Sequence, residues 1–469
     1  RMLLKFVKVR NLGLNIVIPI TSLLTGEITR KIEATVGELI DSRSQKLGTR
    51  EFRKIAVDGM KEIGEINTEA KVNVLGQFFK AYDMEKSFRN SNYNKFLRFL
   101  PRVGMALHSA ANYALYGKTL IGVLHDFRVV DGKVINRNDF IRERKQAGVS
   151  SNQANKLWRE SENNVIYKFL IHEKNNIVWN KTALKNLLRK DNGEELTDEE
   201  LDKTIQDVFS RIQKHVSLVN SVIDGQIPED DRVLAQRHYL LSYFMTHRGW
   251  LSITLARRFK DRHLNLDTNM TEEGSYRSLY GYLGTLFNEF REGNFYKFAG
   301  AFKKAWEKSD EVTRRNMIRV GIDSGFLATL MILSIALRAA ADDDDNEDLF
   351  ALQLANYLTY RTLNELSSTQ LNVTSNVFEA IESPFVGMTT VKNFFDIGEL
   401  FSGEEVKHGS YRGMSERQRF ITKMVPGMKQ YFDLQNMNQT YETYKFFNKR
   451  NFSLTPVNVL WANTIEDKN

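Results

Sequence analysis

The chain has 469 residues, of which 42 % are hydrophobic, with 66 Lys plus Arg against 58 Asp plus Glu and no cysteine. This hydrophobic content suits several folded domains and argues against wholesale disorder. The lack of cysteine excludes a disulfide framework, a cysteine nucleophile and thiolate metal ligands. Only six prolines over this length favour long helices, since proline interrupts helical hydrogen bonding.

Both ends of the sequence resemble internal parts of a longer polypeptide. The opening at Arg1-Met2-Leu3-Leu4 lacks the charged, apolar and small-residue regions of a signal peptide. The last residues, Glu466-Asp467-Lys468-Asn469, form a polar stretch. We therefore expect the first 45 residues to continue a helical segment of a longer chain.

Helical periodicity dominates the sequence. Over 26–40, isoleucine and valine recur at every fourth position and predict one apolar helical face. Thr197 and Glu200 have the spacing of a capping box, which predicts a helix start at that point. The face that follows is apolar at Leu201, Ile205, Val208, Ile212 and Val216 and also includes His215. Proline and acidic residues over 227–231 predict the start of another helix.

Strand signals are scarce, and we predict a mainly α fold. The one clear hairpin signal is 129–135, where Asp131-Gly132 suits the positive φ angles of a type I′ turn. Small and polar residues predict loops near 41–50, 145–155, 190–197 and 402–414. We expect several helical subdomains and one short β-hairpin near 127–136, with the chain divided into 1–45, 46–150, 151–230, 231–401 and 402–469.

Two apolar runs raise the question of a membrane. Residues 103–117 lack Asp, Glu, Lys and Arg, and 324–337 is still more apolar. Both are shorter than the roughly 20 residues of a spanning helix, so two buried core helices are one interpretation. The other is that these runs, including the helix predicted over 324–341, contact a membrane or a neighbouring subunit. The candidate contact residues are Phe326, Leu327, Leu330, Met331, Leu333 and Ile335.

Two motifs resemble catalytic or nucleotide-binding sequences but lack an essential residue. Tyr116-Gly117-Lys118-Thr119 resembles the end of a phosphate-binding loop, but Asn112 stands where that motif requires its first glycine. We interpret Gly117 as a helix stop. His172-Glu173 begins like a zinc-protease helix, but Asn176 replaces the second histidine.

Other polar clusters also give no chemical site. The acidic run 342–348 lacks the glycine and closing glutamate of a calcium loop and is interpreted as a solvated loop. His238, His247 and His263 have no pair at a spacing of four residues. We therefore predict no catalytic, cofactor or metal residues, and no enzymatic activity.

Basic residues alternate with aromatic ones after residue 256. A surface of this kind can follow phosphates and stack on bases, which gives four candidate nucleic-acid contacts. The alternative is a helical face whose long cationic side chains cover aromatic rings. The four residues are Arg257, Arg258, Lys260 and Arg262.

Several segments resemble a known group of proteins. They are 409–420 (GSYRGMSERQRF), 425–432 (VPGMKQYF), 441–447 (YETYKFF) and 104–120 with the Asp131-Gly132 turn. They resemble the large virion-associated proteins of crAss-like bacteriophages, and the resemblance gives no known catalytic residues to transfer. Because those proteins are far longer, the resemblance implies that this chain is one region of such a protein.

The resemblance implies a role in a phage particle with a short, wide tail. The expected function is cargo stored in the virion, in the capsid or tail interior, and ejected through the tail into the host cell. The alternatives are a stationary tail or portal-proximal structural protein, and a non-catalytic region of a large phage enzyme. Expected partners are tail and portal proteins, packaged DNA and, transiently, the host membrane, with several copies per particle.

Overall fold

The computed structural model describes residues 17–62, 65–67, 69–81, 106–190, 193–224, 255–265, 270–292, 298–341, 355, 358–359, 362–363, 404–406 and 413–424. Within these residues the fold is mainly α, as predicted. The helices are α1 (Val17–Val36), α2 (Ser42–Ile55), α3 (Lys71–Phe78), α4 (Ala106–Asp126), α5 (Arg137–Gln146), α6 (Ser151–Glu160), α7 (Lys181–Leu187), α8 (Asp198–Asp224), α9 (Ser275–Glu292), α10 (Phe298–Lys308), α11 (Glu311–Ala341) and α12 (Glu416–Met424).

Within the described residues the strands form four two-stranded antiparallel hairpins. Asp131 and Gly132 both have positive φ in the predicted hairpin, which is confirmed with Val129 opposite Val134. Three further hairpins were not predicted, and one of them contains the zinc-protease look-alike His172-Glu173. The four pairs are β1 (Met60–Glu62) with β2 (Glu65–Ile66), β3 (Phe127–Val130) with β4 (Lys133–Asn136), β5 (Leu170–Glu173) with β6 (Asn176–Trp179), and β7 (His263–Asn265) with β8 (Met270–Glu272).

The main hydrophobic core lies around α4 and α8. α4 packs against α1, α2 and α8, and it contributes Leu120, Val123 and Leu124, each fully buried. One continuous buried cluster runs from Ala34 to Ile223. The predicted divisions after residues 45 and 150 both fall inside the span of this cluster.

The capping box and the apolar face of α8 are confirmed. The Thr197 amide donates to Glu200 Oε2 at 2.8 Å, and the Glu200 amide donates to Thr197 Oγ1 at 3.4 Å. The predicted face is buried, and the imidazole of His215 contacts the Leu39 carbonyl oxygen through Nε2. A local signal in the sequence therefore fixed both the start and the orientation of this helix.

The first helix is displaced from its predicted position. We predicted a helix over 26–40, but α1 starts at Val17 and ends at Val36. Gly37 adopts a φ of 71°, and its amide donates to the Glu33 carbonyl at 2.8 Å, which terminates the helix. Ile40 is still buried, but it lies beyond the helix.

The predicted loop at 41–50 is wrong, because α2 occupies it. Asp41 caps this helix by accepting from the Arg43 and Ser44 amides at 2.7 and 3.2 Å. Gly48 packs so closely on α4 that an added Cβ would lie 2.4 Å from the Gly122 nitrogen. The other predicted loops are shorter or partly described: 147–150 separates α5 from α6, and 193–197 precedes α8.

The run 103–117 belongs to a buried core helix over its described residues, which confirms that interpretation. Tyr113 and Leu115 are fully buried on α4. Our interpretation of Gly117 as a helix stop is wrong, since α4 continues to Asp126. An added Cβ at Gly117 would lie 2.4 Å from the Phe52 ring. The close packing of α2 therefore requires a glycine at this position.

Several predictions lie outside the described residues. These are the helix start at 227–231, the acidic run 342–348, and both His238 and His247. Most of the C-terminal segments that resemble phage proteins lie there too.

Candidate functional site

The two halves of helix α11 differ in burial. Its first half packs on α1 and α9, while most residues after Asp323 face outward. The stretch Glu311–Leu337 is long and apolar enough to cross a membrane. Of the 18 consecutive residues in its most apolar part, 11 % are buried. The interpretation of 324–337 as a buried core helix is therefore wrong, because most residues of this run lie at the surface.

The six predicted contact residues lie at different depths on this helix. Leu327 is buried, and Phe326 and Leu330 are partly buried against the protein. Met331, Leu333 and Ile335 are exposed. Sequence reasoning omitted Ile332, which is 67 % exposed and lies among them. We call the exposed set Met331, Ile332, Leu333 and Ile335 the apolar tip.

A buried ion network fixes the other half of α11 to α1. Arg319 Nη2 lies 3.0 Å from Glu33 Oε2 and also bonds Glu38. Arg319 Nη1 donates to Asn316 Oδ1 at 2.9 Å, and Arg315 lies 3.7 Å from Glu38. These contacts hold the helix at its base, so the tip projects from a fixed support.

Glu33 is the central anion of this network. Its side chain is 1 % exposed, and it bonds both Arg257 and Arg319. Burial by itself would raise the pKa of Glu33, but the positive charges of Arg257 and Arg319 outweigh it and lower the pKa to about 2. The carboxylate is therefore charged across the physiological range.

The four predicted nucleic-acid contacts are not presented as one basic surface. Arg257 binds the buried Glu33, and Arg262 pairs with Asp310. Arg258 is 5 % exposed and lies over the Tyr276 ring, 5.5 Å from its centre. Lys260 is exposed and has no ion pair within the described chain.

Sequence reasoning missed a second exposed apolar stripe, on α9. Tyr280, Leu283 and Phe287 are 83, 50 and 68 % exposed. Their spacing of three and four residues places them on one helical face, and this signal was present in the sequence. α9 packs on α11, so both apolar surfaces belong to the same part of the fold.

The described residues offer interaction surfaces more clearly than chemical centres. Among them, no group of three or more His, Asp or Glu side chains is placed to hold a metal ion. No protein-family model, curated protein or solved structure matches the chain. The function is therefore inferred from the residues and their geometry.

Proposed function

We propose that this chain is a non-enzymatic helical component of a crAss-like phage particle, stored as cargo and ejected through the tail. In this proposal the apolar tip of α11 enters the host membrane after delivery. The membrane step is supported by the exposure of Met331, Ile332, Leu333 and Ile335 on a helix whose base is fixed by buried ion pairs. The virion role is what the sequence resemblance implies.

The dimensions of α11 support contact with lipid. At about 1.5 Å per residue, 324–341 extends for about 27 Å, close to the roughly 30 Å hydrocarbon core of a bilayer. Exposed apolar clusters are typical of surfaces that meet another protein or a membrane. The acidic run 342–348 follows directly, and its carboxylates favour neutral over anionic headgroups.

The composition and the helical fold support passage through a tail. Without cysteine, no disulfide can obstruct a threading chain. Helices re-form rapidly from local contacts after passage, and six prolines leave few slow isomerisation steps.

Particle composition tests the cargo role. The chain is quantified against the portal protein in full particles and in particles that have released their DNA. Cargo is expected to be lost from the emptied particles. A fixed ratio to the portal in both would overturn this role and favour the stationary tail or portal-proximal alternative.

A vesicle-binding assay on the full chain tests the membrane role. The variant combines Ile332→Ser with Ile335→Ser, and the probe is phosphatidylcholine vesicles. Because full burial of each isoleucine contributes about 1.5–3 kcal/mol, partition should fall at least about tenfold. Val57→Ser is the matched control, since Val57 is 78 % exposed in a different part of the fold, and it should leave partition unchanged. Equal partition of all three proteins would contradict the membrane role and favour a neighbouring subunit.

A further inference from the structure

A cleft of about 550 Å³ lies at the C-terminal end of α1 and has no part in the proposed function. Its walls come from the turn after α1, the first turns of α2, the start of α5, and α6. Small-molecule sites generally have volumes of about 300–1,000 Å³, so the cleft has room for a ligand the size of a mononucleotide.

The lining of this cleft is strongly cationic. Arg43, Lys46, Arg137 and Arg159 line it, and Asp41 is the one carboxylate among the lining residues. Arg43 pairs with Glu162. Lys46, Arg137 and Arg159 have no ion pair within the described chain, so three cationic side chains keep their charge available to a ligand.

The acidic side chain of the cleft is already engaged. Asp41 Oδ1 accepts from the Arg43 amide at 2.7 Å, and Oδ2 accepts from the Ser44 hydroxyl at 2.6 Å. Burial and the negative charge of Asp41 raise the pKa of the neighbouring Asp126 well above its ordinary value. The neutral form of Asp126 is therefore favoured beside the charged Asp41.

Several lining groups are held in place. Arg137 Nη2 donates to Asn155 Oδ1 at 2.8 Å, which fixes the guanidinium without neutralising it. Trp158 forms a buried wall, 3 % exposed, with the Arg128 guanidinium 4.3 Å from its ring centre. Its indole nitrogen is buried and has no hydrogen-bond partner in the described part of the chain. Gly37, with its φ of 71°, contributes backbone without a side chain that would fill the space beside Arg137.

We propose that this cleft binds a small phosphate-bearing ligand of nucleotide size, with Arg137, Arg159 and Lys46 contacting the phosphates. Arginine suits this ligand because its planar guanidinium donates two parallel hydrogen bonds to phosphate oxygens. A diphosphate carries enough negative charge to match three unpaired cations, which a single carboxylate does not. This proposal is independent of the virion role and of the apolar tip.

Titration calorimetry on the full chain, with ADP as the probe, tests the site. Pyrophosphate and adenosine are titrated separately to show which part of the nucleotide is recognised. We expect ADP and pyrophosphate to bind, adenosine not to bind, and added salt to weaken binding. Absence of heat with ADP and pyrophosphate at millimolar concentration would overturn the proposal. Binding of adenosine as tightly as ADP would overturn it too.

Charge variants distinguish a built site from a general attraction to anions. Arg137→Gln combined with Arg159→Gln should weaken ADP at least tenfold. Arg159→Gln alone, at an exposed position, should weaken it severalfold and serves if the double variant does not fold. Lys156→Gln is the matched control, because Lys156 is exposed on the same helix outside the cleft, and it should change affinity by less than twofold. Equal losses in Lys156→Gln and Arg159→Gln would refute the site and indicate nonspecific polyanion binding, DNA included.

Discussion

Replacing Glu33 by glutamine tests how α11 is held on the fold. Glu33→Gln keeps the shape of the side chain and removes the charge that Arg257 and Arg319 share. Arg319 keeps its contact with Glu38, and Arg257 is 24 % exposed, so both arginines retain some compensation after the change.

The structure gives the size of the expected loss. A pKa that falls from 4.5 to about 2 on folding corresponds to about 3 kcal/mol of preference for the charged carboxylate. Breaking a buried ion pair from one side costs about 3–5 kcal/mol in general. Because Arg319 retains Glu38, we expect a loss near the lower end, about 3 kcal/mol, in the free energy of unfolding.

Urea denaturation followed by circular dichroism measures this loss, and hydrogen exchange locates it. Amides of α11 should exchange faster in Glu33→Gln, because its base is released from α1. Asp202→Asn is the matched control, since Asp202 pairs with Lys181 where both side chains are more than half exposed. The control should lose no more than about 1 kcal/mol. A loss below about 1 kcal/mol in Glu33→Gln would refute the network as the support of α11.

Three further predictions concern the same fold. The pKa of Glu33 is lower in the folded chain than in the unfolded one, so the stabilisation from Glu33 is present above about pH 4.5 and is lost as the pH falls towards 2. The free energy of unfolding, measured across an acid titration, should show this loss in the parent chain and a smaller loss in Glu33→Gln. Gly48→Ala should destabilise the fold by about 1–3 kcal/mol in urea denaturation, because its Cβ would meet the Gly122 backbone at 2.4 Å. Gly281→Ala is the control, because Gly281 lies in a helix and a Cβ added there would have no atom within 4 Å. Alanine at this position should be neutral or stabilise the fold by up to about 1 kcal/mol. Equal losses at both glycines would contradict the close packing at Gly48. Thr197→Ala should cost about 0.5–2 kcal/mol through the lost cap of α8, measured in the same way, and an unchanged midpoint would show that the capping box contributes nothing.

Local signals in the sequence predicted the elements that depend on local chemistry. The capping box at Thr197 and the Asp131-Gly132 turn each involve neighbours within a few residues, so their sequences identified them. α2 was missed because its polar sequence resembles a loop, and its position depends on Gly48 meeting Gly122, far away along the chain. Gly117 was misread for the same reason, since only the packing of Phe52 explains it.

The candidate sites show the same limit. The sequence of an apolar run such as 324–337 does not show whether the run is buried or exposed. Its exposure follows from the position of α11 in the fold. The cationic cleft joins Lys46 on α2 with Arg137 on α5 and Arg159 on α6. No spacing along the sequence relates these residues, so folding alone brings them together.

A labelled particle tests the central claim most directly. Because the chain has no cysteine, Ile332→Cys provides one thiol for an environment-sensitive dye, and Val57→Cys provides a matched reference. Particles carrying either label are triggered to release their DNA onto vesicles that contain a lipid-bound quencher. Our account predicts that the label leaves the particle with the DNA and that the dye at 332 is quenched while the dye at 57 is not. A dye at 332 that stays with the emptied particle and is never quenched by lipid would contradict it.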